Sequence, residues 1–304
     1  MPHHLQVRCA VWCGLVLQPG RQPEGRQRAQ ALWSLLVIIS TEKPRTSAWL
    51  ESVGAIGKLV LDAANEVGAI SLLVWQLTLR FFRGPVDRAE FWRNLHKMGV
   101  RSVGVVAVTS VFNGAILVVQ AAPLVERFSA TDIIGWAAGF GILRELGPLL
   151  ISLMFSGRVG ANTTAELGTM VATEQIDALR ALAIDPLAYL ILPRALAMVI
   201  TLVALDIVGV TIALIGAVIA SKVLLDVDHH QFISSFLAFL DVHDYMHGVI
   251  KSAIFGALIA VTSCSYGLRT TGGAPGVGRA VTSAVVTAAV GIFVVDYFAT
   301  FILR

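Results

Sequence analysis

Leu196-Ala-Met-Val-Ile-Thr-Leu-Val-Ala-Leu-Asp206-Ile-Val-Gly-Val-Thr-Ile-Ala-Leu-Ile-Gly216-Ala-Val-Ile-Ala-Ser221 runs for 26 residues with a single charged side chain. A helix needs about 20 predominantly apolar residues to cross the hydrocarbon core of a bilayer. The rest of the chain agrees with lipid as its solvent. Of 304 residues, 56% are hydrophobic and 14% charged, and the mean hydropathy is +0.76. A soluble domain carries about 25% charged residues. The imbalance follows when the outer surface must be apolar as well as the core.

The apolar stretch reaches back to Leu187 and on to Lys222, about 36 residues, which is more than one crossing needs. Pro193-Arg194 is expected to divide it into a short lead-in helix and a tilted crossing at 194–222. Two crossings would require a turn within a run that offers only Gly209 and Gly216. Further spans are expected at about 103–125, 133–157, 246–268 and 281–303. Ahead of them, Trp49, Val53, Ile56, Val60, Val67, Ile70, Val74 and Leu77 recur at three- and four-residue spacing. That pattern predicts an amphipathic helix over 47–79, lying in the membrane interface. The expected fold is therefore an all-α integral membrane protein of about five transmembrane helices preceded by an interfacial helix.

Residues 1–46 mix Arg, Gln, Pro and Gly without a sustained period, and read as a disordered tail or a misplaced start. Cys9 and Cys13 fall there, and with Cys264 they suggest neither a disulfide framework nor a metal site. Five spans with a cytoplasmic N-terminal side place 80–101, 158–194 and 269–279 inside, with six, three and two Lys or Arg. The outer segments hold four, namely Arg127, Lys222, Lys251 and Arg304. This asymmetry obeys the positive-inside rule and puts the C-terminus on the far side.

Ionisable residues at bilayer depth are costly, and mark function by default. Arg144-Glu145 lies near the middle of the second span, followed at once by Gly147-Pro148, which should break that helix. Two readings stay open: a kink with a locally neutralised pair, or a polar element in the wall of a substrate pathway. Asn113 and Gln120, seven apart on the first span, either face the same cavity or bond between helices. Asp206 and Asp296 are candidate partners for Arg144 or for each other.

Between spans two and three, Thr173 can cap a short helix over 174–182, with Glu174 and Asp177 in its first turn. Glu174, Gln175, Ile176, Asp177, Leu179 and Arg180 mix charge with apolar side chains in a way that suits docking to a soluble partner. Gly273-Ala-Pro-Gly276-Val-Gly278 lacks the strand and the Lys-Ser/Thr ending of a phosphate-binding loop, and no Walker motif occurs, so the chain is not expected to use ATP itself. No serine elbow or zinc-protease pattern is present either. His229, His230, His243 and His247 share the 223–247 segment with four aspartates, which reads as a solvated polar loop rather than a metal site.

Leu143-Arg-Glu-Leu-Gly-Pro-Leu-Leu150, Gly157-Arg-Val-Gly160, Ala165-Glu-Leu-Gly168 and Ala172-Thr-Glu-Gln-Ile-Asp-Ala-Leu179 closely resemble the MlaE/YrbE permease family. Asp185-Pro186, Pro193-Arg194, Ile250-Lys-Ser252 and Gly278-Arg-Ala280 follow in the same order. The resemblance covers about 47–304. It implies an ABC-type permease moving phospholipids or related lipids between the inner and outer membranes of a bacterium. It implies as partners a second copy of the chain, a cytoplasmic ATPase dimer using ATP and Mg, an optional small STAS-type subunit and a periplasmic ring of MCE-domain proteins. No cofactor, metal or nucleic acid is expected on this chain. The ATPase would dock on 174–182, and Arg144-Glu145 matches a conspicuous family position. A proton-coupled secondary transporter and an intramembrane lipid-modifying enzyme are the alternatives; no inverted repeat and no nucleophile–base pair favours either.

Overall fold

Apolar side chains on all faces, interrupted by short polar connections, leave helices as the only spanning structure open to this chain. The computed structural model describes residues 48–83, 87–128 and 133–303, and among them there is no strand. The expected tail, with Cys9 and Cys13, lies outside these residues. The helices are α1 Ala48–Arg83, α2 Arg88–Phe128, α3 Ile134–Ala172, α4 Gln175–Ala181, α5 Leu187–Leu225, α6 His229–Phe239, α7 Val242–Leu268 and α8 Gly273–Ile302. Five of these, α2, α3, α5, α7 and α8, are long and apolar enough to cross a membrane. The protein is a multi-pass membrane protein.

Contacts among Cα atoms separate Met1–Ala64 from Asn65–Arg304, and the packing described below belongs to the second unit. Within it, α2 and α5 form the most extensive helix pair. Their backbones touch where side chains vanish: a Cβ on Gly114 would overlap the Ala213 carbonyl, and one on Gly216 that of Val111. Small residues at such crossings are how membrane helices gain contact when lipid is as apolar as they are. Gly216 is thus a packing residue within a straight run, and α5 makes no turn there.

Several boundaries differ from the sequence reading. The second span does not stop near 157 but continues as helix to Ala172, through two π-turns at Ile142–Leu146 and Ser156–Gly160. Pro193 does not separate a lead-in helix from the crossing. It sits directly after a π-turn at Leu187–Ile191, and the helix runs through it from Leu187 to Leu225. The 223–247 segment is not simply a solvated loop. It contains α6, whose Phe232 is buried and whose backbone lies so close to α3 that a Cβ on Gly135 would overlap the Phe232 carbonyl. Among the described residues no three His, Cys, Asp or Glu gather as a metal site.

On α1, Leu73 and Leu77 are buried, whereas Val67 and Val74 of the expected apolar stripe are exposed. Arg80 pairs with Asp185 at 2.8 Å and Glu66 with Arg269 at 2.7 Å. These pairs tie α1 to the ends of α5 and α7. An apolar cavity of about 540 Å³ opens between this helix and α5, α7 and α8, lined by Ile70, Leu77, Phe81, Leu196 and Leu258 among others.

Candidate functional site

The centre of the site is the break in α3. Pro148 has no N–H to donate, and the π-turn before it closes with the Gly147 N–H donating to the Ile142 carbonyl. The carbonyls of Leu143 and Arg144 are thereby left to find other partners. Both face α7. Gly248 approaches so closely that a Cβ would overlap the Leu143 carbonyl oxygen, and Lys251, one turn on, donates from Nζ to the Arg144 carbonyl at 3.0 Å. The break is therefore read by a specific helix face rather than exposed to lipid.

Lys251 is the hub. Its side chain is 1% exposed, and Nζ also donates to Glu145 Oε2 at 2.8 Å and to Thr300 Oγ1 at 2.7 Å. Asp296 Oδ1 lies 2.9 Å from the same nitrogen yet has no hydrogen bond. Asp296 thus faces the ammonium as a second acid beside Glu145. Thr300 Oγ1 also lies 3.3 Å from Glu145 Oε1 and 2.8 Å from the Asp296 carbonyl. One lysine thus joins α3, α7 and α8 at a single level.

Arg144 points elsewhere. Its NH1 lies 3.4 Å from Asp244 Oδ1, and its guanidinium carbon sits 5.1 Å from the centre of the Phe140 ring. Asp244 also completes a capping box at the start of α7, its Oδ2 accepting from the Asp241 N–H at 3.2 Å. Thus Arg144 pairs with neither Asp206 nor Asp296, the two partners the sequence left open. Asp206 pairs with neither of them: it is 2% exposed, its Oδ1 lacks a hydrogen bond, and its polar side-chain neighbour is Ser252.

Of the six candidate pathway residues, the structure brings together the side chains of Glu145 and Asp296 through Lys251, while Arg144 joins them only by its backbone carbonyl. Asn113 is buried and lines a separate cavity, Gln120 is exposed, and Asp206 stands alone on α5. The residue that sequence reasoning missed is Lys251. It was counted among outer-segment cations, although it lies five residues inside the expected 246–268 span. That depth was the available signal. Asp244 and Thr300 carried none beyond their positions near span ends.

At the other end of α3, the short helix expected at 174–182 is α4, Gln175–Ala181. Thr173 does not cap it; its hydroxyl donates back to the Thr169 carbonyl at 2.8 Å and closes α3. Glu174 takes the N-cap position with φ 60°, in the left-handed region. At the C-terminal end the Ile184 N–H donates to the Leu179 carbonyl and the Ala183 N–H to that of Arg180, both at 3.0 Å. This is a Schellman closure with Ala183, φ 59°, where glycine is usual. Ile176 is buried and anchors the helix, while Gln175, Asp177 and Arg180 face outward, the last two paired at 3.0 Å.

Residues 91–302 match the family described as Permease MlaE. A probable ABC transporter permease protein of Rickettsia felis is 37% identical over 251 residues, covering 83% of this chain and 97% of its own length. A probable ABC transporter permease protein of Synechocystis is 34% identical over 77% of this chain and 89% of its own length. The chloroplast protein trigalactosyldiacylglycerol 1 of Arabidopsis thaliana is 36% identical over 75% of this chain and 65% of its own length. The matched region spans all five crossing helices, the charged break in α3 and the α4 loop, and the chain belongs to the MlaE permease family of ABC transporter permeases.

Proposed function

We propose that the chain is the membrane subunit of an ABC transporter that moves phospholipids or related lipids between the inner and outer membranes. The observation that carries this reading is the Glu145–Lys251–Asp296 network at the break in α3. Charges at this depth are retained against a cost of several kcal/mol each, about 2.5–3.5 on insertion scales. Glu145 is the most accessible member, with a side chain 34% exposed against 1% for Lys251. A polar lipid headgroup crossing an apolar interior needs such a foothold, and a carboxylate held by only one lysine can exchange partners. The name of the Arabidopsis relative denotes a diacylglycerol lipid, which supports a lipid cargo.

The α4 loop is the natural contact for an ATPase. It faces outward from the bundle and follows α3 after only the Thr173-Glu174 turn, so a push on α4 reaches the lower end of α3 and, along that helix, the break. The loop belongs on the cytoplasmic side, together with most of the flanking cations. On the proposed assembly, ATP and Mg bind to the partner, a small STAS-type subunit can accompany it, and an MCE ring stands on the periplasmic side. α8 leaves Val286, Val290, Phe293, Val294 and Phe301 exposed, as lipid or a second copy of the chain would require.

The test is transfer of fluorescent phospholipid out of proteoliposomes holding the chain with its cognate ATPase. The reading expects transfer that needs ATP and stops when the ATPase is inactivated. Transfer that follows a pH gradient without ATP would instead make the chain a secondary transporter.

A further inference from the structure

A second polar feature lies away from the central network, in the seam between α2 and α3 at the end of the bundle that carries α4. There Lys97, Arg101 and Arg158 line a small cavity of about 160 Å³ with Met98, Ser102 and Asn162. No carboxylate lines it. The nearest acid is Glu166, which already faces Lys97 and, at 3.1 Å, Arg194, and accepts from Asn162 at 2.8 Å. Arg101 and Arg158 make no ion pair among the described residues. Arg158 belongs to the second π-turn of α3, Ser156–Gly160.

The same seam continues into the membrane. About three turns further along α2, Thr109, Ser110 and Asn113 face Leu150, Ile151, Leu153 and Met154 of α3 across a largely apolar cavity of about 310 Å³. From Met98 to Thr109 the helix rises about 16 Å at 1.5 Å per residue. A cluster of cations towards one end of the seam, with a second, largely apolar cavity deeper in the same seam, matches one kind of molecule. Basic pockets between transmembrane helices are sites for anionic lipid headgroups.

We infer that this seam binds one phosphate-bearing anionic phospholipid, its headgroup between Arg101 and Arg158 and one acyl chain along the Thr109–Met154 slot. The site is separate from the Lys251 network. It rests on the membrane placement of the helices and not on the transport reading, so it stands whether or not this lipid is cargo. Lys97 contributes less than the two arginines, because Glu166 already holds it. The arginines present planar donors suited to phosphate oxygens.

The experiment is native mass spectrometry of the delipidated full-length chain, titrated separately with phosphatidylglycerol, with diacylglycerol of the same tails and with inorganic phosphate. One phosphatidylglycerol should bind per chain at least tenfold more tightly than diacylglycerol. Arg101→Gln with Arg158→Gln should weaken phosphatidylglycerol about tenfold, while Arg101→Lys with Arg158→Lys keeps most of the binding; a folding defect would affect both pairs alike. Thr109→Trp, which fills the slot, should weaken the lipid and leave the arginines in place. Equal binding of phosphatidylglycerol by the glutamine pair and the wild type would overturn the inference. So would equal binding of the two lipids, or saturation by inorganic phosphate with no lipid bound, which would make the pocket a site for a soluble anion. Arginine-dependent lipid binding in a chain that transfers no lipid with its ATPase would sink the transport reading and leave this one standing.

Discussion

Lys251 shows how much a single buried side chain can organise when it is the one cation between two half-buried acids among the described residues. Its neighbours Glu145 and Asp296 have no other cation within ion-pair distance among the described residues. Removing one partner of a buried pair is costlier than removing the whole group, because a stranded charge remains. Lys251→Met should therefore lower stability by about 3–5 kcal/mol, in the range found when buried pairs are broken. Combining it with Glu145→Gln and Asp296→Asn should recover most of that loss. Thermal unfolding of both variants in the same detergent decides the matter; a triple variant no more stable than Lys251→Met would show that the network is not what holds the three helices together.

At the scale of elements, the α3 break and the α4 loop differ in how legible they were. Gly147-Pro148 after Arg144-Glu145 announces a break, because proline's missing N–H is a local fact of sequence. What fills the freed carbonyls is not local, since Gly248 and Lys251 come from more than a hundred residues away. The same limit applies to Arg144, whose partner Asp244 is defined by the docking of α7 on α3. The α4 loop was legible as a short helix, but its caps were not. Thr173 has the chemistry of an N-cap and the position of a C-cap, and only the backbone of Glu174, turned left-handed, shows which won.

Ala183 has the more direct consequence. A non-glycine residue in the left-handed region is strained by about 1 kcal/mol. Ala183→Gly should relieve that strain and slow hydrogen exchange in α4 about fivefold, as read by mass spectrometry. Unchanged or faster exchange would mean that the loop's conformation is set by something other than its own closure.

For the whole molecule, the proposed topology, with all five long apolar helices crossing, puts α4 and the C-terminal end of α8 on opposite sides of the membrane. Hydropathy made the number of crossings readable. It did not make the extent of α3 readable, because its last turns carry Arg158, Asn162 and Glu166 and look like a loop. They stay helical by packing against α7 and α8, with Thr164 donating to the Ser263 carbonyl at 3.1 Å. After Cys9, Cys13 and Cys264 are replaced by serine, Gln175→Cys and Phe301→Cys test the topology with a membrane-impermeant maleimide. Gln175→Cys should label only from the cytoplasmic side and Phe301→Cys only from the other; labelling of both from one side would remove a crossing.

On the proposed function, the charges at the α3 break serve lipid movement as well as packing. The most direct measurement is ATP-driven phospholipid transfer by the complex carrying Glu145→Gln, Lys251→Met and Asp296→Asn together. That complex should fold, bind its ATPase and hydrolyse ATP, with lipid transfer reduced at least tenfold. Transfer at the wild-type rate would contradict it, and would leave the network as a structural joint.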